Sequence, residues 1–477
     1  MVFNSYTFIV FFAVVLFVYN LPLKWTFKKV HLLMASYLFY AVWNPPFILL
    51  LIFSTFLDFF VGKNLSIEQN PVKRKWWLAA SLVGNLAPLA YFKYGEFMLD
   101  NFVALTSAAG IDFHPMAPDI ILPVGISFYT FQTLSYSLDM YNRKYASEKS
   151  FLDFALFVTF FPQLVAGPIV RPDELIPQFK SPVKATWLQF NQGMFLLTLG
   201  LFMKVVLADS LLASSADDVF SAGKDMNALD AWMGVLAFSG QIFFDFGGYS
   251  TCAIGIALCL GFTIRDNFFY PYAAIGFSDF WRRWHITLST WLRDYLYIPL
   301  GGNRKGIVRT YINVMLTMLI GGLWHGANWT FVVWGGLHGL YLAVEKYIQD
   351  KRKAHAHEPG PHPHLKPNFA HAMLTFFLVN ITWVFFRAQD FTTAWSILKS
   401  MFFFGNPKEV VLNYLDILKV TVVITGMIIV HWQMRHKKVL TVAESKPWWS
   451  VGLVWTFLLV MLILSQESTS SFIYFQF

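Results

Sequence analysis

The sequence predicts an all-α integral membrane protein, a multi-pass helical bundle of about 10–12 crossings with re-entrant segments. Three observations predict it. Of 477 residues, 56% are hydrophobic and only 13% are charged, where soluble domains carry about 25% charged residues. Apolar runs near the roughly 20 residues a spanning helix needs follow one another along the chain. No stretch shows the two-residue alternation of a membrane barrel. The 19% aromatic content, with 18 Trp and 51 Phe, suits lipid contact and interfacial belts.

The net charge is +8 and the isoelectric point about 9.2. On a soluble protein that balance would suggest nucleic acid. Here the basic residues lie in short loops between apolar runs, the bias of cytoplasmic loops. Membrane lipids, and no nucleic acid, are therefore the expected surroundings. Cys252 and Cys259 give no disulfide framework and read as small buried hydrophobes. Met1 to Ser5 lacks a basic run, and no small-residue cleavage site follows the apolar segment 6–19, so that segment is expected to stay as the first membrane helix.

Loop charges set the expected topology. Segments 6–21, 30–43, 47–62 and 76–92 are apolar. Lys24, Lys28 and Lys29 follow the first, and Lys63, Lys73, Arg74 and Lys75 the third. The second is followed by uncharged Pro45-Pro46, and the fourth by Glu96, Asp100, Asp112 and Asp119 against Lys93. The N-terminus therefore reads as outside. Segment 120–141 returns inside to Arg143, Lys144 and Lys149. Segment 187–208 leaves again towards an acidic loop with Asp209, Asp217, Asp218, Asp225 and Asp230. Segment 151–170 between them cannot be a simple crossing. It reads as a re-entrant hairpin broken at Phe161-Pro162 and Gly167-Pro168, which would place Gln163 and Arg171 near an internal cavity.

Segment 232–262 returns inside and is expected to be interrupted at Asp245-Phe246-Gly247-Gly248. Arg265, Arg282, Arg283, Arg293, Arg304, Lys305 and Arg309 make the next region cytoplasmic. Segment 311–347 starts and ends inside, before Lys351-Arg352-Lys353, so it reads as a hairpin with Ala327-Asn328 near its tip. Segments 370–386, 415–432 and 448–464 complete the bundle, with Arg435, Lys437 and Lys438 inside and the C-terminus outside. The expected organisation is one domain over 1–477: N-terminal helices 1–110, a core 118–347, a Pro/His-rich cytoplasmic linker 354–367 and C-terminal helices 368–477. No internal repeat is visible, so the signature of many secondary transporters is missing.

Within this frame, Trp324-His325-Gly326-Ala327-Asn328-Trp329 is the most informative stretch. Ionisable residues inside membranes are costly and default to functional sites. Gly321-Gly322 and Gly326 would let backbone or substrate approach His325 closely. Asn328 reads equally as a partner of the imidazole or substrate and as a turn residue. A second histidine, His285, lies in Trp281-Arg282-Arg283-Trp284-His285. Phe280, Trp284, Leu288, Trp291 and Leu292 share one helical face there, which suits a helix lying at the membrane interface. A headgroup-facing histidine is the competing reading.

Arg282, Arg283 and Arg293 could hold an anionic cofactor such as the phosphates of coenzyme A; phospholipid contacts and topological charge explain them as well. Asp245 in its apolar run reads equally as a substrate contact and as a helix kink. Gly301-Gly302-Asn303-Arg304 is a tight turn and, without strand–helix context, no phosphate loop. His355, His357, His362 and His364 read as a solvated linker, and no metal site is expected. No nucleophile elbow or Walker loop occurs. Histidine acid–base chemistry on an attacking hydroxyl is what remains.

The run from Phe280 through Trp281-Arg282-Arg283-Trp284-His285 to Gly301-Gly302-Asn303-Arg304 resembles the signature of the membrane-bound O-acyltransferase family. The resemblance is closest to the bacterial branch that includes the alginate O-acetylation membrane protein. Gly321-Gly322-Leu323-Trp324-His325-Gly326 matches that family's active-site histidine motif. Leu122-Pro123-Val124-Gly125, Phe161-Pro162-Gln163-Leu164-Val165-Ala166-Gly167-Pro168 and the terminal Phe472-Ile473-Tyr474-Phe475-Gln476-Phe477 are also similar to the branch. One departure is Phe246-Gly247-Gly248-Tyr249-Ser250-Thr251, where a hydroxyl and a carboxylate of the branch are missing although Asp245 is kept.

The resemblance implies a helical core around a thinned funnel. It implies that His325 is catalytic and that His285 is the second active-site histidine, with Trp324, Asn328, Arg282, Arg283, Arg293, Asp245 and Gln163 as candidate donor or substrate contacts. It implies no bound cofactor, and as donor acetyl-CoA or another acyl thioester reached from the cytoplasm. Partners would be an extracytoplasmic acetyltransferase- or hydrolase-like protein and a polysaccharide acceptor such as alginate, at a bacterial inner membrane. The expected function is transfer of acetyl groups across that membrane for O-acetylation. D-alanyl or other acyl transfer to a wall polymer is the alternative within the class. A polysaccharide or lipid transporter without covalent chemistry is the alternative outside it.

Overall fold

The computed structural model describes residues 1–116, 120–222, 226–355, 368–403 and 410–465. The His-rich part of the linker (His357, His362, His364), Asp119, Asp225 and the terminal 472–477 motif lie outside the described residues. Every regular element among those described is helical. In chain order the α-helices are α1 (Tyr6–Asn20), α2 (Trp25–Ala41), α3 (Ile48–Ile67), α4 (Pro71–Ala108), α5 (Ile126–Tyr141), α6 (Phe151–Thr159), α7 (Phe161–Leu164), α8 (Pro172–Phe179), α9 (Trp187–Leu201) and α10 (Ser214–Ser221). There follow α11 (Ala228–Cys259), α12 (Phe277–Trp281), α13 (Ile286–Leu292), α14 (Ile307–His325), α15 (Trp329–His355), α16 (Phe369–Arg387), α17 (Phe391–Phe402), α18 (Tyr414–Gln433), α19 (Val439–Glu444) and α20 (Trp448–Leu464).

Among the described residues, six helical stretches suffice by length and apolar composition to cross a membrane: Pro45–Ile67, Trp187–Ser221, Ala228–Cys259, Ile307–His325, Phe369–Arg387 and Tyr414–Gln433. Tyr6–Asn20 and Trp448–Leu464 are shorter apolar helices. The chain divides into two compact units. One holds Met1–Met194 with Ala253–Arg265, the other Phe195–Cys252 with Asp266–Phe477.

The first unit is held by buried polar locks between apolar helices. Asp58 of α3 accepts from Ser137 Oγ of α5 (2.6 Å), Asn85 Nδ2 of α4 (2.6 Å) and Ser81 Oγ of α4. Ser54 Oγ donates to Asn85 Oδ1 at 2.6 Å, which keeps the amide in register. Lys29 of α2 pairs with Asp153 of α6. The Arg74 guanidinium donates to Leu65 O and Glu68 O at the end of α3, and to Met140 O and Tyr141 O at the end of α5. Those carbonyls are the ones a helix C-terminus leaves open. Lys29 and Arg74 were expected as loop charges, but both lie within helices and are buried, because each finds a fixed acceptor there.

Segment 151–170 is broken as expected, into two short helices, α6 and α7, with the chain breaking between Thr159 and Phe161 and running irregularly from 165 to 171. Every residue from 153 to 170 is buried. The broken backbone is satisfied from within the protein, as a buried backbone requires. Phe161 N donates to Ser36 Oγ at 3.1 Å. Phe157 O accepts from Gln163 Nε2 at 2.9 Å and from Gln132 Nε2.

Three expectations are corrected. The fourth apolar segment does not end in an acidic loop at residue 92. Helix α4 runs on to Ala108 with Glu96 and Asp100 riding on it and Pro88 inside it, because nothing between 92 and 108 breaks a helix. Segment 187–208 likewise continues, as a π-helix Phe202–Ala213 and then α10, so Asp209, Asp217 and Asp218 are helical. Segment 232–262 is not interrupted at Asp245; α11 is continuous from Ala228 to Cys259. Its Gly248 packs against Gly200 O, where a Cβ would stand at 2.7 Å. The glycine pair there serves close helix contact and makes no break.

In the second unit α14 and α15 form the expected antiparallel hairpin, with Gly326, Ala327 and Asn328 as its turn. Its two helices touch through glycine. A Cβ on Gly322 would collide with Phe331 O, and one on Gly335 with Met318 O. Gly335→Ala should therefore force the hairpin apart and cost about 1–3 kcal/mol. Gly426→Ala on α18, where a Cβ meets nothing within 4 Å, should leave stability unchanged or slightly raised. Thermal unfolding of both variants in one detergent checks the pair; equal midpoints would mean the hairpin is not tightly closed.

Candidate active site

His325 is the last residue of α14, and Gly326 leaves the helix in an extended conformation (φ −160°, ψ 151°). A Cβ on Gly326 would collide with the Phe331 ring, so the turn folds back directly over the first turn of α15. This clamps His325 into an aromatic box. Its ring lies 5.0 Å from those of Trp324 and Trp334 and 5.3 Å from that of Phe386.

His285 reaches the same place from another element. It sits in the left-handed region (φ 41°, ψ 54°) immediately before α13, a conformation costly for a residue with a Cβ. Its ring lies 6.5 Å from His325, 5.9 Å from Trp324 and 4.8 Å from Phe246 of α11. With their centroids at that spacing the two imidazoles are ring neighbours in one buried cluster. His285 is 0% and His325 2% exposed.

The strained backbone at His285 is held by a loop the sequence did not single out. Ile286 N donates to Asn267 O and Phe269 N to Arg283 O, both at 2.9 Å. Asn267 Oδ1 accepts from Thr287 Oγ1 (2.8 Å) and Thr287 N (3.3 Å), and stands 3.2 Å from His285 Nδ1. Its amide nitrogen donates to Ser250 Oγ at 3.3 Å. An amide oxygen can only accept, so Nδ1 of His285 carries the proton and Nε2 is the basic nitrogen. Burial pushes the His285 pKa down from 6.5 to about 3, so the imidazole is neutral at physiological pH. Asn267 had no motif to mark it; only the folded loop brings it to the histidine.

The expected interfacial helix around His285 is corrected. The segment is α12, a break at 282–285, α13 and a π-helical turn Arg293–Tyr297. Phe280, Trp284, Leu288, Trp291 and Leu292 are buried within the protein. Periodicity alone could not separate a face turned to lipid from one turned to a core. Gly301 and Gly302 have positive φ, and Gly302 O accepts from Asn313 Nδ2 of α14 at 2.9 Å, so the predicted tight turn is tied back onto the hairpin.

The remaining candidates divide. Trp324 is buried beside both histidines. Asn328 is used in capping: its Oδ1 accepts from Thr330 N at 2.9 Å and its Nδ2 donates to Gln389 O at 2.8 Å. Arg283 is buried and bonds Asp279 at 3.0 Å, whereas Arg282 is exposed and Arg293 pairs at 2.7 Å with the adjacent Asp294. Gln163 belongs to the first unit. Asp245 stands 3.0 Å from Lys204, which also bonds Asp209 at 2.9 Å. The π-helical winding sets Lys204 and Asp209 on one face at i, i+5. Asp245 therefore pairs internally on an unbroken helix. A third buried histidine, His338, also escaped sequence reading; its Nε2 lies 3.0 Å from Thr382 Oγ1, and Trp334 lies 4.8 Å from its ring.

Comparison with known proteins bears on this site. Residues 146–357 match the family model described as MBOAT, membrane-bound O-acyltransferase family. The chain is 38% identical to the protein named "Probable alginate O-acetylase AlgI" of Pseudomonas putida, with 100% of each chain covered. It is 40% identical to the "Peptidoglycan O-acetyltransferase" of Helicobacter pylori, over 79% of this chain and 74% of that one. Similarity to the "Teichoic acid D-alanyltransferase" of Lacticaseibacillus rhamnosus is lower, at 26% identity over 58% of this chain and 77% of that one. With both histidines inside the matched region, and a relative of this identity aligned from end to end, the chain belongs to the membrane-bound O-acyltransferase family.

Proposed function

We propose that this multi-pass membrane O-acetyltransferase takes acetyl groups from a cytoplasmic thioester, with acetyl-CoA as the simplest donor. It delivers them towards an extracytoplasmic polysaccharide such as alginate, at a bacterial inner membrane. The observation that carries the reading is the buried pair His285 and His325, ring centroids 6.5 Å apart. The acceptor hydroxyl oxygen attacks the thioester carbonyl carbon, and its proton passes to an imidazole nitrogen. The C–S bond then breaks, and the leaving sulfur takes that proton. His325, at the hairpin tip, is the assigned base. Neutral His285, with its basic Nε2, is assigned as a second acceptor that orients the hydroxyl or relays its proton. It lacks the N–H on that side to polarise a carbonyl.

A separate hydrolase-like protein outside the membrane completes the transfer in this reading. The acceptor hydroxyl belongs either to that partner or to the sugar. D-alanyl transfer is less favoured, because the relatives named for it are the more distant ones.

Positioned acid–base groups contribute about 10²–10⁴-fold. His325→Ala should thus lower polysaccharide O-acetylation by at least about 100-fold while the protein inserts and purifies normally. His285→Ala should also lower it severely. O-acetyl content by mass spectrometry of the isolated polymer reads both; normal acetylation with well-expressed His325→Ala rules the mechanism out.

Asn267→Ala should lower kcat about tenfold by releasing the His285 tautomer, with KM for the donor little changed and the pH profile displaced. Asn267→Asp, which keeps an acceptor oxygen, should recover part of the rate. A purely structural Asn267 would instead lower yield and leave the profile in place.

Sidedness is tested with single cysteines at the exposed positions Asn303 and Asp218, in a background lacking Cys252 and Cys259. An impermeant thiol reagent on spheroplasts should label position 218 and spare position 303. The reverse pattern would invert the topology and with it the direction of transfer.

A further inference from the structure

Arg283 and Arg435 are both buried, 8% and 9% exposed, and they share one carboxylate. Asp279 Oδ1 accepts from Arg283 Nε at 3.0 Å, and Asp279 Oδ2 from Arg435 Nη2 at 2.7 Å. Arg283 Nη1 is satisfied by Phe269 O at 3.2 Å and Arg435 O at 3.0 Å. Arg435 Nε and Nη1, by contrast, are buried with no hydrogen-bond partner among the described residues. Two guanidinium charges against one carboxylate leave one positive charge in excess, on a side chain with two donor nitrogens unused.

The surroundings do not supply the missing anion. His431, one turn earlier on α18, accepts from Tyr272 N at 3.3 Å, and the Trp432 ring lies 5.8 Å from the guanidinium. Asp266 is paired with Lys438 at 2.8 Å, and Glu345 accepts from Phe277 N and Ser278 N at 2.6 and 3.0 Å. Exposed His436, Lys437 and Lys438 directly follow Arg435, and exposed Arg282 stands 4.0 Å from Asp279. The buried guanidinium is thus approached through a basic collar.

We infer that Arg435, together with Arg283, forms a phosphate-binding site behind the His285 segment. A phosphate oxygen can accept from the unused Nη1–H donors, and the phosphate charge answers the excess positive charge. The loop that pairs Phe269 with Arg283 also pairs Asn267 with His285, so the phosphate site and the histidine stand on one short scaffold. The phosphate comes either from a thioester donor such as coenzyme A or from the headgroup of an anionic phospholipid. The first source rests on the proposed cytoplasmic donor; the second does not.

Binding, rather than turnover, tests the site in the full-length protein. Equilibrium dialysis in neutral detergent measures coenzyme A. Reconstitution into phosphatidylcholine vesicles with and without phosphatidylglycerol measures retained anionic lipid after repurification. Arg435→Lys keeps the charge and the Asp279 pair but removes the two unused donors, and its unfolding midpoint serves as the control for folding. Arg435→Lys should weaken one of the two ligands by about tenfold. Loss of coenzyme A binding assigns the site to the donor, and loss of phosphatidylglycerol retention assigns it to lipid. Unchanged binding of both in Arg435→Lys, or binding of neither by the wild-type protein, overturns the site. A His325-dependent transferase with either result would leave the proposed function standing.

Discussion

The contact between α14 and α15 governs the site. Gly322 and Gly335 have no Cβ, so the two helices approach until their backbones touch, and Gly326 folds the turn over Phe331. Because the hairpin closes this tightly, His325 has one place to be, at the end of α14 with its ring among Trp324, Trp334 and Phe386. A larger residue at any of these glycines would move the histidine by moving the helix that carries it. Close glycine-mediated approach is the usual means of association where lipid removes the hydrophobic drive between helices.

The second constraint is that polar groups at membrane depth find partners inside the protein. It explains features that look unrelated along the chain. Asp58 gathers hydroxyls and an amide from two neighbouring helices. Lys204 takes Asp209 from its own π-helical stretch and Asp245 from α11. The broken backbone after Thr159 borrows Ser36 and two glutamines. The same rule makes Arg435 conspicuous, since two of its donor nitrogens are buried and unanswered.

Chemistry at the site follows from where hydrogen bonds are already committed. Asn267 fixes which nitrogen of His285 is basic, and burial keeps that imidazole neutral. The two histidines come together from different elements, one at a hairpin tip and one at a strained break between short helices. Such strain persists only where surrounding bonds over-determine it, and the loop from Asn267 to Phe269 supplies those bonds.

The sequence by itself determined the membrane class, most helix positions, the hairpin around His325, a break in segment 151–170 that it put at Phe161-Pro162, just past where it falls, and the two histidines. Each of these is written in local hydropathy, in glycine and proline, or in a motif. It misplaced helix ends at 92, 208 and 245, because an acidic residue riding on a helix and one in a loop look alike until packing supplies or withholds a partner. It took the His285 face for a lipid-facing one, since a periodicity names a buried side without naming what buries it. Only the tertiary structure brought His285 to His325, set Asn267 behind it, drew Lys204 to Asp245 and left Arg435 short of an anion. Those relations join residues far apart in the chain, and nothing in local spacing records which partner the fold will deliver.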